Sequence, residues 1–187
     1  MIEEAYEKLK EGYFEDAVES FSNCLKLDPH QARIYYGRGM ARFKLEKWEL
    51  ALEDFTQAKE LNPDDPENWM ACAMTCAMDN KIYEAIDLFE QLLANYPRYI
   101  RGHVQCAQLY YRLGVIPKGH AQLDIALALR PSLSERRMIE QLKNEQLALD
   151  KKRYYRPDFE SLRQQNHAVA SGLLKRIKNL FGAQSSS

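Results

Sequence analysis

Between Ala32 and Pro63, small and apolar residues fall at Tyr35, Gly39, Trp48, Ala51, Phe55, Ala58 and Leu61, with charged residues between them. Steps of three, four and seven within two runs, Tyr35 to Gly39 and Trp48 to Leu61, place each run on one face of its own helix. The pattern recurs. Prolines close segments at Pro29, Pro63, Pro97 and Pro131, each 34 residues after the last. Ala17, Ala51 and Ala85 keep a second phase, and Phe21, Phe55, Phe89 and Leu123 a third. A fixed period of this size marks a repeat array, in which each unit leaves an apolar face for its neighbour to cover. No alternating Val/Ile/Thr segments flank tight turns, so the expected fold is all-α.

Each unit is expected to be a helix–turn–helix. In the first, a helix over Ile2 to Glu11 turns at Gly12 into a second helix with an inward stripe of Tyr13, Phe14, Ala17, Val18, Phe21 and Leu25. Asp28-Pro29 ends it, because proline lacks a donor and disfavours helix in the residue before it. In the second unit Gly39 and Ala51 are small where the paired helices should cross. The third uses Trp69, Cys72, Ala73, Cys76, Ala85, Phe89, Leu92 and Leu93, with its turn at Asn80-Lys81. The fourth departs most, with Gly119 replacing the alanine and Pro117 opening the second helix, a place proline suits.

A 34-residue unit with an aromatic near its start, a small residue in mid-first-helix, an early alanine in the second helix and a closing proline resembles the tetratricopeptide repeat. The resemblance covers residues 1 to 131, as repeats over about 1–31, 32–65, 66–99 and 100–131. It implies a right-handed superhelical solenoid, whose first helices line a concave groove that binds peptides or helices. Carried over position by position, the groove takes Ile2, Tyr6, Leu9 and Lys10 from the first unit. Arg33, Tyr36, Met40, Phe43 and Lys44 come from the second, and Glu67, Met70, Met74, Ala77 and Met78 from the third. The fourth supplies Arg101, Val104, Gln108, Tyr111 and Arg112. Methionine is unbranched and adaptable, so Met40, Met70, Met74 and Met78 suit an apolar ligand. Relatives that clamp the acidic C-termini of heat-shock chaperones carry Lys, Asn and Arg at set groove positions. Only Arg101 fits that pattern here, so chaperone-tail binding is not expected.

From Ser132 the period stops. Ser132 and Glu135 read as a capping box opening a helix over 132–150, with Leu133, Met138, Ile139, Leu142 and Leu149 as an apolar stripe to cap the array. A basic hinge, Lys151 to Pro157, follows, then a second helix over 158–182 and a disordered end over 183–187. In that second helix Leu173, Leu174, Ile177, Leu180 and Phe181 fall at helical spacing, with Lys175, Arg176 and Lys178 opposite or flanking. Such a segment suits an anionic membrane surface, the groove of this chain or a sister chain, or plain packing as an extension of the solenoid. Nucleic acid has weaker support, from the basic and aromatic run Lys151 to Arg156.

Charge divides the chain at the same place. Residues 1–150 hold 18 Lys+Arg against 25 Asp+Glu, and residues 151–187 hold 8 against 2. An acidic body and a basic end fit self-association or an anionic partner. No segment approaches 18 consecutive apolar residues, and the N-terminus does not read as a secretory signal, so a cytoplasmic protein is expected, with peripheral membrane attachment through the basic helix as the variant. Cys24, Cys72, Cys76 and Cys106 occupy positions the repeat keeps small or buried and read as core thiols, not metal ligands. His30, His103, His120 and His167 are scattered, and His103 takes the repeat position of Tyr35 and Trp69, which favours packing. No nucleophile, acid–base pair, metal set or cofactor motif is present. The expected function is a non-catalytic adaptor or scaffold holding an apolar or amphipathic segment of a protein partner. The alternative is a homo-oligomeric or membrane-tethered assembly factor that uses the basic helix.

Overall fold

The structure, a computed structural model, describes residues 1–153, with side chains through Asp150. The described residues fall into two units, Met1–Gln141 and a second that begins at Leu142. Lys175, the other residues named for the basic helix, and the end after it lie outside the described residues.

Eight helices form four antiparallel pairs in the first unit. They are α1 (Ile2–Glu11), α2 (Phe14–Leu27), α3 (Ala32–Lys44), α4 (Trp48–Leu61), α5 (Pro66–Met78), α6 (Ile82–Asn95), α7 (Ile100–Arg112) and α8 (Ile116–Ala128). A ninth, α9, runs Leu133–Arg153. From α1 to α8 each helix packs on the next, and α1 also reaches α3. No strand occurs among the described residues, and no described helix is long and apolar enough to cross a membrane.

The phases of the sequence become layers of the core. Phe21, Phe55, Phe89 and Leu123 are buried at one level, and Ala17, Ala51 and Ala85 at another. Glycine is required where helices touch: a Cβ on Gly39 would stand 2.8 Å from the Phe55 ring, and one on Gly37 would stand 2.5 Å from Phe21. The turns inside the pairs also keep register. Gly12, Glu46, Asn80 and Gly114 all take positive φ, at 92°, 58°, 60° and 73°. At Glu46 this conformation brings the Cβ close to the following carbonyl, a strain glycine avoids.

One polar cluster crosses the core. Asp54 of α4 is 2% exposed and receives Arg38 Nη2 at 2.7 Å and Arg42 Nη1 at 2.8 Å, both from α3. Arg38 Nη1 also donates to Ser22 Oγ of α2 at 3.3 Å, so one network ties three helices across two repeats. A buried carboxylate is tolerable only when paired in this way.

Three details differ from the sequence reading. Tyr13, placed in the inward stripe, is the N-cap of α2 and lies 59% exposed, because the left-handed Gly12 turns the chain before the helix begins. In α9, Ile139 is buried while Leu133, Met138 and Leu149 are exposed. At 3.6 residues per turn, Leu133 and Met138 stand about 100° or more around the helix from Ile139, so these residues form no narrow stripe. The same helix continues to Arg153, three residues into the expected hinge. Its start is capped as the sequence implies: Ser132 N–H donates to Glu135 Oε2 at 2.8 Å, and Glu135 N–H donates to Ser132 Oγ at 3.3 Å.

Candidate functional site

The first helix of each repeat presents equivalent positions 34 residues apart, so α3, α5 and α7 bring corresponding side chains side by side. One cavity of about 170 Å³ opens among them. Tyr36, Met40 and Phe43 of α3 face Met70, Ala71 and Met74 of α5, with Phe55 of α4 as the floor and Glu67 and Arg101 at the edge. Tyr36 packs its ring on Phe55, centroids 5.5 Å apart, and Phe43 meets Trp48 edge-on at 5.0 Å. The cavity is comparable to the roughly 150 Å³ apolar cavities known to take a benzene ring. It can therefore accept one leucine- or phenylalanine-sized side chain.

Arg33, Glu67 and Arg101 are equivalent residues of three successive repeats. Arg101 Nη1 donates to Glu67 Oε1 at 2.7 Å, and Tyr99 Oη donates to the same oxygen at 2.6 Å. Burial, then the hydrogen bond to Glu67, holds the Tyr99 phenol well above its ordinary range. Arg33 turns to α1, where Nη2 reaches Glu3 at 3.0 Å and the guanidinium lies 4.8 Å from the Tyr6 ring centroid. Tyr36 is raised as well, first by burial and then by the charges of Glu67 and Asp65.

The other residues expected in the groove are dispersed. Tyr6 stacks edge-on against Phe21 at 5.0 Å and donates to the Arg33 carbonyl at 2.6 Å, while Leu9 is half-buried against the first repeat's core. Met70 and Val104 are buried at 8% and 5% exposure, so Met70 contributes a wall and Val104 belongs to the interior. Met78 is 51% exposed at the C-terminal end of α5, and Lys44 is exposed at the end of α3. Gln108 is half-buried. Tyr111 packs on His120 of its own repeat, with Oη 2.9 Å from Nδ1, and occupies the space that a Cβ at Gly119 would need. Arg112 Nη1 donates to the Ala77 carbonyl at 3.3 Å. Phe55, Ala71 and Asp65 were not among the expected groove residues. The first is on a second helix, and the others become visible only once α3 and α5 are placed together.

A larger opening of about 350 Å³ beside α1 and α2 is lined by Glu4, Lys8, Asp16 and Glu19 among others and offers little apolar surface. Among the described residues no group of three His, Cys, Asp or Glu side chains is arranged to hold a metal ion. His103 is buried, with Nδ1 2.7 Å from Gln122 Oε1 and Nε2 3.0 Å from the Pro97 carbonyl. Trp69 Nε1, at the equivalent position, donates to the Pro63 carbonyl at 3.0 Å, so both rings fasten a first helix to the preceding proline turn.

Comparison with known proteins agrees with this architecture. Profiles of the tetratricopeptide repeat match residues 32–65 and 3–31. Mouse sperm-associated antigen 1 is 35% identical over 82 residues, covering 44% of this chain and 9% of that protein. The chain spans 9 to 11% of the length of this and two further curated relatives. The crystal structure of TTC0263, a tetratricopeptide-repeat protein of Thermus thermophilus, superposes with a TM-score of 0.65 at 20% identity, covering 77% of this chain and 78% of that one. The second such domain of human RPAP3, solved in complex with the HSP70 peptide SGPTIEEVD, gives a TM-score of 0.54 at 25% identity over 57% of this chain and 89% of that one. With four helix pairs in register and the repeat profile matched twice, the chain belongs to the tetratricopeptide-repeat proteins, as an all-α solenoid of about four repeats.

Proposed function

We propose that this protein is a non-catalytic adaptor that holds an apolar or amphipathic segment of a partner protein in the groove formed by α3, α5 and α7. The observation that carries this reading is the apolar cavity between Met40, Phe43 and Met74, whose side chains belong to the first helices of two successive repeats. An accessible cavity lined by aromatic and methionine side chains offers the buried anchor point on which peptide affinity concentrates. That the RPAP3 domain holds a peptide supports the same class of function here.

The chemistry of the ligand differs. The RPAP3 peptide ends in EEVD, whereas the arginines of this groove are already engaged, Arg33 by Glu3 and Arg101 by Glu67. An acidic terminus would find few free cations.

The test is fluorescence anisotropy with two labelled peptides, AVASGLLKRIKNLFG, copied from residues 168–182 of this chain, and SGPTIEEVD. The adaptor reading predicts saturable binding of the first, little binding of the second, and loss of binding in Met74→Glu with unchanged circular dichroism. Equal affinity in Met74→Glu, or binding of the acidic peptide alone, overturns it.

A further inference from the structure

Beside the apolar cavity lies a second opening of about 250 Å³, lined among others by Arg33, Asn62 and Asp65, and the two share Tyr36 and Glu67 as a common wall. The shared wall is one residue thick, so a segment seated in the first by an apolar side chain can reach the second with an adjoining long side chain. Given the adaptor function above, we infer that the paired cavities select a partner segment in which a lysine or arginine adjoins the apolar anchor.

The charge of the second cavity supports this choice. Asp65 caps α5, with Oδ1 accepting the Glu67 N–H at 3.0 Å. Both side-chain bonds to Glu67 fall on Oε1. The second oxygen of each carboxylate, Asp65 Oδ2 and Glu67 Oε2, receives no hydrogen bond among the described residues. Arg33 does not neutralise them, because its guanidinium is drawn to Glu3 and the Tyr6 ring. The lining of the second cavity thus carries two carboxylates, Asp65 and Glu67, and one guanidinium, Arg33, which is paired with Glu3. The Tyr36 hydroxyl on the shared wall records the same field, since Glu67 and Asp65 follow burial as the causes that raise it. Because Arg101 and Tyr99 both hold Glu67 Oε1, an incoming cation can pair with Oε2 without displacing Arg101. The inferred ligand is opposite in charge to the acidic peptide SGPTIEEVD held by the RPAP3 domain.

The experiment uses the full chain and three versions of the peptide 168–182: unaltered; with Lys175→Gln, Arg176→Gln and Lys178→Gln; and with the same residues changed to Glu. The unaltered peptide should bind about tenfold more tightly than the neutral one, and the acidic version more weakly than either. In the double variant Asp65→Asn, Glu67→Gln the ratio of affinities for the basic and the neutral peptide should shrink to about twofold or less, whatever change the two peptides share. Asparagine caps a helix as well as aspartate does, so this variant keeps the start of α5. Equal affinities for basic and neutral peptides on the native protein, or a preference that survives in the double variant, overturn the inference. If Met74→Glu abolishes binding of all three but no charge preference exists, the apolar groove stands and this inference alone fails. If none of the three binds the native protein, both fail.

Discussion

Glu67 and Arg101 occupy the same position of successive repeats, 34 residues apart, and meet at 2.7 Å. Their contact shows how a solenoid writes specificity. Register alone brings equivalent positions together, so the sign of each residue decides whether a rung repels, stays open or closes on itself. Here the order Arg33, Glu67, Arg101 closes one rung and leaves an apolar cavity beside it.

The network around Asp54 should dominate the stability of the first two repeats. Asp54→Ala strands Arg38 and Arg42, whose side chains are only 18% and 16% exposed, and should cost about 3–5 kcal/mol, measured by urea unfolding. An indistinguishable midpoint would show that the network is dispensable.

Glu46 stands in the left-handed conformation that Gly12 and Gly114 adopt at equivalent turns. Glu46→Gly should therefore raise stability by up to about 1 kcal/mol, the relieved strain being partly offset by the freedom glycine gains when unfolded. Urea unfolding beside the native protein gives the sign.

All four cysteines are free and buried. Burial pushes the Cys72 thiol up to about 11 and the Cys106 thiol up to about 12, and raises Cys76 as well. At pH 8 the native protein should react slowly with a disulfide reagent, and unfolding in denaturant should release all four thiols promptly.

The capping box of α9 should respond to acid. The two hydrogen bonds from Ser132 hold the Glu135 carboxyl below its ordinary range, so its folded pKa lies under the unfolded one. The cap is accordingly complete above the unfolded value, about 4.3, and is lost as pH falls through the depressed folded value. A pH series of amide spectra should show the Ser132 N–H titrating below a free glutamate, and this step should vanish in Glu135→Gln.

Much of the fold was legible in the sequence because a fixed period converts one unit into all of them. Pro29, Pro63, Pro97 and Pro131 set the register, and Phe21, Phe55 and Phe89 the level of the core. Phase also put Tyr36, Met40 and Met74 on one side. It did not set depth. Val104 shares its phase with Tyr36 yet is buried, because depth depends on the volumes of the neighbouring side chains. The pairing of Asp54 with Arg38 and Arg42 was equally hidden, since it depends on how α3 crosses α4. Asp65 reads in sequence as a solvated helix-face carboxylate, and only the proximity of α3 makes it part of an opening shared with Arg33 and Tyr36.

The central claim, that a partner segment anchors between α3 and α5, is tested most directly by methionine methyl NMR. The chain has six methionines. Met40, Met70 and Met74 line the cavity, whereas Met78 and Met138 are exposed elsewhere and Met1 lies beside α1 and α2. Adding the peptide 168–182 to methyl-labelled protein should shift Met40, Met70 and Met74 and leave Met1 and Met138 in place. Shifts confined to Met1 or Met138, or saturable binding that moves none of the cavity methyls, would contradict the account.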